Sequence, residues 1–228
     1  MRIAMLTNNY RPFVGGVPIS VERQARELIK LGHDVTVFAP FYGDTRTERD
    51  KLLREDEMAP ETVVRYRIRR KKMDNGMVYP VLFPEEIIRE FENKTFDCIH
   101  VHHPMFVGPL GVKLGKRYAI PVIFTCHTRY EDYLHYIPVF RVNGHSSGLK
   151  KRAVEWVRTT VIPSYIKWFA DQCDLVLAPS AGMQRVLRTY GMKSRSAVLP
   201  TGLEENFFLA DQERAVQIRR QYGKGKKY

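Results

Sequence analysis

"RIAMLTNNYRPFVGGVPISVERQARELIKLGHDVTVFAP" (residues 2–40) holds the pattern on which the fold turns. Its first segment, "RIAMLT" (2–7), is a short apolar run closed by Asn8 and Asn9, as expected of a buried strand. A loop follows over 8–18. "PISVERQARELIKLG" (18–32) then places Val21, Ala25, Leu28 and Ile29 or Leu31 at helical spacing, with Glu22, Arg23, Arg26, Glu27 and Lys30 on the other face. Glu22–Arg26 and Arg23–Glu27 are i,i+4 pairs, and Gly32 supplies the stop. "DVTVFAP" (34–40) is a second buried strand. Strand, helix and strand in so short a span make a right-handed crossover between parallel strands.

Outward from this unit the alternation continues. "VVRYRI" (63–68) reads as an edge strand, and "PEEIIREFEN" (84–93) as a helix opened by proline and two acids. "DCIHVHH" (97–103) and "PVIFTCH" (121–127) are strands, with a Gly-interrupted helix over 107–119 between them. A long helical stretch covers 149–172, with Pro163 expected to break it midway. A strand at 175–180, a helix at 181–190 and the segment "SAVLPTG" (196–202) complete the series. This regularity predicts an α/β fold, a Rossmann-like doubly wound parallel sheet. From Glu204 onward the texture changes to one charged helix with no strand behind it. The expected division is a Rossmann-like domain over 1–205, and over 206–228 a connection to, or the start of, a further domain.

The chain has 228 residues, 44% of them hydrophobic, so a substantial core is available. No run approaches the roughly 18–20 apolar residues that span a bilayer. The N-terminus turns polar too soon for a secretory signal. Cys98, Cys126 and Cys173 form no CxxC and sit in apolar runs, as buried thiols of a reducing cytoplasm do. The net charge of +12, from 37 basic against 25 acidic residues, favours polyanionic partners: nucleic acid, anionic membrane or phosphorylated substrates. A basic nucleic-acid-binding module is one reading, but it lacks an RNP1-type motif, a GxxG clamp and finger ligands.

In a doubly wound sheet, ligands bind beyond the carboxyl ends of the strands. At the first exit Gly15 and Gly16 precede a helix, where free amides attract a phosphate, or else they simply make a turn. The spacing is not GxGxxG and no acid ends the second strand, so a dinucleotide cofactor is not expected. His102 and His103 before Pro104 read as satisfied polar residues at a strand end. His127, at the next exit, can donate to a phosphate or a sugar hydroxyl, or else is a structural histidine. Cys126 points opposite to it, and no G-x-S-x-G nucleophile signature is present.

Two stretches bear on the basic excess. "VVRYRIRRKK" (63–72) sets Arg65, Arg67 and Arg69 on one strand face. "GLKKRAVEWVRTTVIPSYIKWF" (148–169) aligns Leu149, Ala153, Trp156, Val157, Val161, Tyr165 and Trp168 along a helix. Lys150, Lys151, Arg152, Arg158 and Lys167 supply its charge, so it can lie in a membrane interface with Trp156 and Trp168 as anchors. The alternative is that its apolar face covers the sheet.

Five ordered stations carry a family likeness: "GGVPISVERQARELIKLGHDVTVFAP", "FDCIHVHHP", "PVIFTCHT", "DLVLAPS" and "VLPTGLEENFF". Over about residues 2–208 the chain resembles the N-terminal half of the family-four retaining glycosyltransferases, the two-Rossmann-domain (GT-B) type. "HTRYEDYLHYIP" resembles the subgroup that glucosylates diacylglycerol. The resemblance implies an acceptor-binding domain, with the donor and the family's ExxxxxxxE carboxylates held mainly by a C-terminal domain. It places Gly15 and Gly16 at the donor phosphate and His127 beside the donor sugar as the catalytic residue. "PTG" (200–202) matches the family's "PNG", with Thr201 in place of Asn. Tyr130, Glu131, Asp132 and Tyr133 become candidates for holding the acceptor headgroup, with Glu131 or Asp132 in reach of its hydroxyl proton. The implied substrates are a nucleotide-diphosphate sugar, UDP-glucose, and a lipid such as diacylglycerol. No cofactor, metal or nucleic acid is implied, and the place of action is the inner face of the membrane, from the cytoplasm. A soluble polar acceptor is the alternative.

Overall fold

The computed structural model describes residues 1–72, 76–144, 146–202 and 211–222. Seven strands form one parallel sheet: β1 (Arg2–Leu6), β2 (Asp34–Pro40), β3 (Thr62–Tyr66), β6 (Cys98–Val101), β7 (Val122–Thr125), β8 (Leu175–Ala178) and β9 (Ser196–Val198). Their spatial order is β3-β2-β1-β6-β7-β8-β9. The chain winds outward from β1 through β2 to β3, returns, and winds outward again from β6, so the switch point lies between β1 and β6. A separate antiparallel pair, β4 (Ile68–Lys72) and β5 (Val78–Pro80), stands outside the sheet.

Helices α1 (Gly16–Lys30), α2 (Arg46–Glu57), α3 (Glu85–Asn93), α4 (Val107–Tyr118), α5 (Gly148–Trp156), α6 (Ile162–Ala170) and α7 (Ala181–Thr189) intervene, and α8 (Gln212–Tyr222) follows. One sheet face presents Leu6, Phe38, Ile99, Val101, Phe124 and Val176 to Ile87, Leu110, Ile166, Phe169 and Leu187 of α3, α4, α6 and α7. Ile3, Met5, Val35 and Val37 on the other face pack under Val21 and Ala25 of α1. Helix α4 lies close on the sheet because glycines stand among its inward residues. A Cβ on Gly111 would stand 2.6 Å from Val101 Cγ2, and one on Gly115 2.3 Å from Val122 Cγ2.

Several expectations need correction. Helix α2 falls where no element was read. Its sequence buries only Leu52 and Asp56, so its apolar stripe is too thin to show. The 63–72 stretch is not one strand, and it does not present a positive face. Arg65 turns inward, its side chain 2% exposed, and pairs with Asp56 through two bonds of 2.7 and 2.8 Å. Arg67 pairs with Glu85 and Glu86. Pro163 does not break the long helix. A π turn over Val157–Val161 joins α5 to α6, its Ile162 N–H bonding Val157 O, and the shifted register absorbs the proline. The 205/206 boundary lies outside the described residues. The charged helix read beyond Glu204 is present as α8.

Candidate active site

The carboxyl ends of β1, β6 and β7 form the rim at the switch point. The β1 exit loop is pinned across it. Asn8 N–H donates to His103 Nδ1 (3.1 Å), and Asn8 Nδ2 donates to Met105 O (2.9 Å). Tyr66 OH donates to Thr7 O (2.7 Å) from the β3 side. Because His103 Nδ1 accepts, its proton sits on Nε2, 3.5 Å from the Asn9 amide. An Asn9 oxygen turned toward Nε2 satisfies both groups.

These ties fix the start of the loop that leads to Gly15 and Gly16. Gly15 is the extended N-cap residue of α1, and Gly16 is its first residue. Neither has a positive φ. A Cβ on Gly16 would meet nothing within 4 Å. The absence of a side chain there keeps the approach to the amides open rather than permitting a turn. Gly15 provides no side-chain cap and the first turn of α1 has no acid, so the positive helix end is left free for an anion.

His127 follows β7, two strands away, about 10 Å across the sheet at the usual strand spacing. Cys126 N–H still bonds Leu177 O, prolonging the ladder, and its thiol is buried on the opposite side. The His127 Nε2 lies 3.0 Å from His102 Nδ1, and the two rings stack with centroids 5.3 Å apart. Burial pushes His127 down to about 4, so at neutral pH it is an uncharged ring that acts by hydrogen bonding. His100 and His103 are pushed down to about 3, first by burial and then by the charge of His127. This layer of packed imidazoles is the part of the site that the reading of single residues missed. The available signal was the alternation of His100 and His102 with His127 and Thr125 on adjacent strands.

The stretch behind His127 forms a 3-10 helix, Tyr130–Tyr136, and divides in two. Tyr130 turns into the core and Glu131, 6% exposed, accepts hydrogen bonds from Tyr190 OH and Arg129 Nε. Both bonds fall on Oε1, so Glu131 anchors the turn to the end of α7, while its Oε2 is buried without a partner among the described residues. Asp132 and Tyr133 stay exposed, and Asp132 faces Arg158 at 4.0 Å. Trp156 and Trp168 are 60% and 53% exposed, and Lys150, Lys151 and Arg152 are exposed with them. The sheet is covered instead by Ile166, Phe169 and Ala170 of α6. Arg158 is held by Glu155 in a two-bond pair of 2.8 and 3.0 Å, which blunts its charge.

A hollow of about 940 Å³ lies elsewhere, on the α1 side of the sheet. His100, Ile123 and Leu177 form its floor, and Arg23, which donates to Gly202 O at 2.6 Å, stands at its edge. Neither Gly15 nor His127 lines it.

A family profile described as Glycosyltransferase Family 4 matches residues 14–207. The chain belongs to glycosyltransferase family 4. It is 30% identical over 206 residues to an alpha-monoglucosyldiacylglycerol synthase of Streptococcus pneumoniae, covering 90% of this chain and 41% of that protein. It is 26% identical over 203 residues to the alpha-monoglucosyldiacylglycerol synthase of Acholeplasma laidlawii, covering 89% and 46%. The chain thus spans less than half the length of these family members. Among solved structures, Anabaena Alr3699/HepE, crystallised with UDP and glucose, superposes with a TM-score of 0.56 at 15% identity, covering 97% of this chain and 50% of that one. The fold is the Rossmann-like half of a GT-B glycosyltransferase.

Proposed function

We propose that this chain is the acceptor-side half of a retaining hexosyltransferase that moves glucose from a nucleotide-diphosphate sugar to diacylglycerol or a similar lipid at an anionic membrane surface. Two relatives named as glucosyldiacylglycerol synthases support the reading. The observation that carries it is the ridge on α5 and α6. Lys150, Lys151 and Arg152 lie within the first five residues of α5, with no acid among them, where the helix's own field disfavours cations. An anionic surface reverses that cost, at roughly 1 kcal/mol per basic residue. Trp156 and Trp168 are exposed further along the same helical segment. The Arg158–Asp132 pair ties this ridge to the turn behind His127, so a lipid headgroup would be presented at the rim.

At that rim a sugar leaving a diphosphate develops positive charge, and the phosphate negative charge. The free amides of α1 stabilise the phosphate, and neutral His127 donates to an oxygen of the donor. Asp132 and Tyr133 are the exposed groups positioned for the acceptor's headgroup.

Cosedimentation of the 228-residue chain with vesicles tests this. Binding to phosphatidylglycerol-containing vesicles and not to pure phosphatidylcholine is expected, weakened at least tenfold by Trp156→Ala with Trp168→Ala. Both tryptophans are exposed, so the fold should survive. Absence of vesicle binding, with tight binding of single-stranded RNA, would replace the lipid reading with the nucleic-acid one.

A further inference from the structure

We propose that His102 is a positioning residue that holds His127 in the tautomer protonated at Nδ1, leaving that N–H as the donor offered at the rim. The inference deepens the reading of His127 as the ring beside the donor sugar and rests on it. His102 is fully buried, and among the described residues its ring has one hydrogen-bond partner, His127, Nδ1 to Nε2 at 3.0 Å. Its neighbours are committed elsewhere. His100 Nε2 meets Thr125 Oγ1 at 2.7 Å, and His103 is engaged by Asn8 and Asn9.

Two neutral imidazoles joined nitrogen to nitrogen need one donor and one acceptor. The other ring nitrogen decides which is which. His102 Nε2 is buried with no partner. An orphaned N–H is rarer in folded proteins than an under-used acceptor, so Nε2 carries the lone pair and the proton sits on Nδ1. His102 therefore donates and His127 Nε2 accepts. A neutral His127 must then carry its own proton on Nδ1. Its ring is only partly covered, and Nδ1 is not among the buried unpartnered atoms. The arrangement repeats the logic of a histidine whose far nitrogen is fixed so that the near one has a single role. His100 packs against His102 with the rings tilted by 36° and centroids 4.1 Å apart, which hinders the positioning ring from turning.

The test is a two-bond proton–nitrogen correlation spectrum of the 15N-labelled 228-residue chain at neutral pH, with His127 assigned by loss of its signals in His127→Gln. Wild type is expected to show His127 as a single tautomer, Nδ1 protonated and Nε2 bare. His102→Asn should preserve it, because the asparagine amide nitrogen stands where the ring Nδ1 stood. His102→Leu removes the donor and should release His127 into exchange between its two tautomers. A wild-type His127 protonated at Nε2 overturns the proposal. So does an unchanged His127 spectrum in a folded His102→Leu chain. If the leucine variant fails to fold, wild type and His102→Asn still decide, since a switch to Nε2–H in the asparagine variant also overturns it. No ligand enters these spectra. Loss of vesicle binding leaves the tautomer result standing, and a failed tautomer result leaves the lipid reading standing.

Discussion

His127 shows what a residue gains from its neighbours. As a lone histidine after a strand it has two ordinary readings, and the sequence does not choose between them. Its chemistry comes from a buried layer supplied by an adjacent strand and from a cross-sheet hydrogen bond to His102. Spacing along the chain does not show this, because the partners lie 25 residues apart. The same layer sets an acid limit on stability. His100 and His103 are held at about 3 and His127 at about 4, below the ordinary value near 6.5. Between those values the unfolded chain binds more protons than the folded one, so stability is full above about pH 6.5 and falls as pH drops. Each histidine contributes roughly 1 kcal/mol per pH unit to the slope, against a typical total of about 5–15 kcal/mol. The midpoint of urea unfolding should fall steeply between pH 7 and pH 5. Equal midpoints at the two pH values would mean that the imidazoles are not buried in their neutral form.

At the scale of elements, the glycines separate into two kinds. Those of α4 allow close approach of a helix to the sheet, and the sequence showed only that this helix was interrupted by them. Gly16, at the start of α1, leaves space empty. Gly111→Ala should therefore destabilise the chain by about 1–3 kcal/mol, since its methyl would overlap Val101. Gly16→Ala should leave stability unchanged or slightly raised, because its methyl meets nothing. On the proposed reading, its effect would fall on anion binding at the helix end. Thermal unfolding of the two variants checks the contrast, and equal losses would remove the distinction. The parallel core strands were legible because each is apolar on both faces and closed by polar or turn residues. Helix α2 was not, being almost wholly charged. Its one local sign, the capping box of Thr45 and Glu48, is visible only when sought. Arg65 was misread for a related reason. Alternation along a strand tells which residues share a face, but not that Asp56 of a neighbouring helix has buried that face's charge.

For the whole molecule, the question is how a net charge of +12 is distributed. Several of the 37 basic residues are paired locally and leave the excess to others: Arg65 with Asp56, Arg67 with Glu85 and Glu86, Arg158 with Glu155 and Lys167 with Asp171. The first five residues of α5 hold three cations and no acid, and they lie on the segment that exposes both tryptophans. A surface built this way binds through two separable forces. Coulomb attraction from the lysine–arginine turn is screened over about 8–10 Å at ordinary salt, whereas burial of the indoles hardly depends on salt. Vesicle binding by the chain should therefore weaken as salt is raised. Lys150→Gln, Lys151→Gln and Arg152→Gln together should flatten that dependence. Trp156→Ala with Trp168→Ala should lower affinity at every salt concentration and leave the slope in place. If the glutamine variant keeps the wild-type slope, the charge that meets the membrane lies on another face, and the ridge loses its claim to be the docking surface.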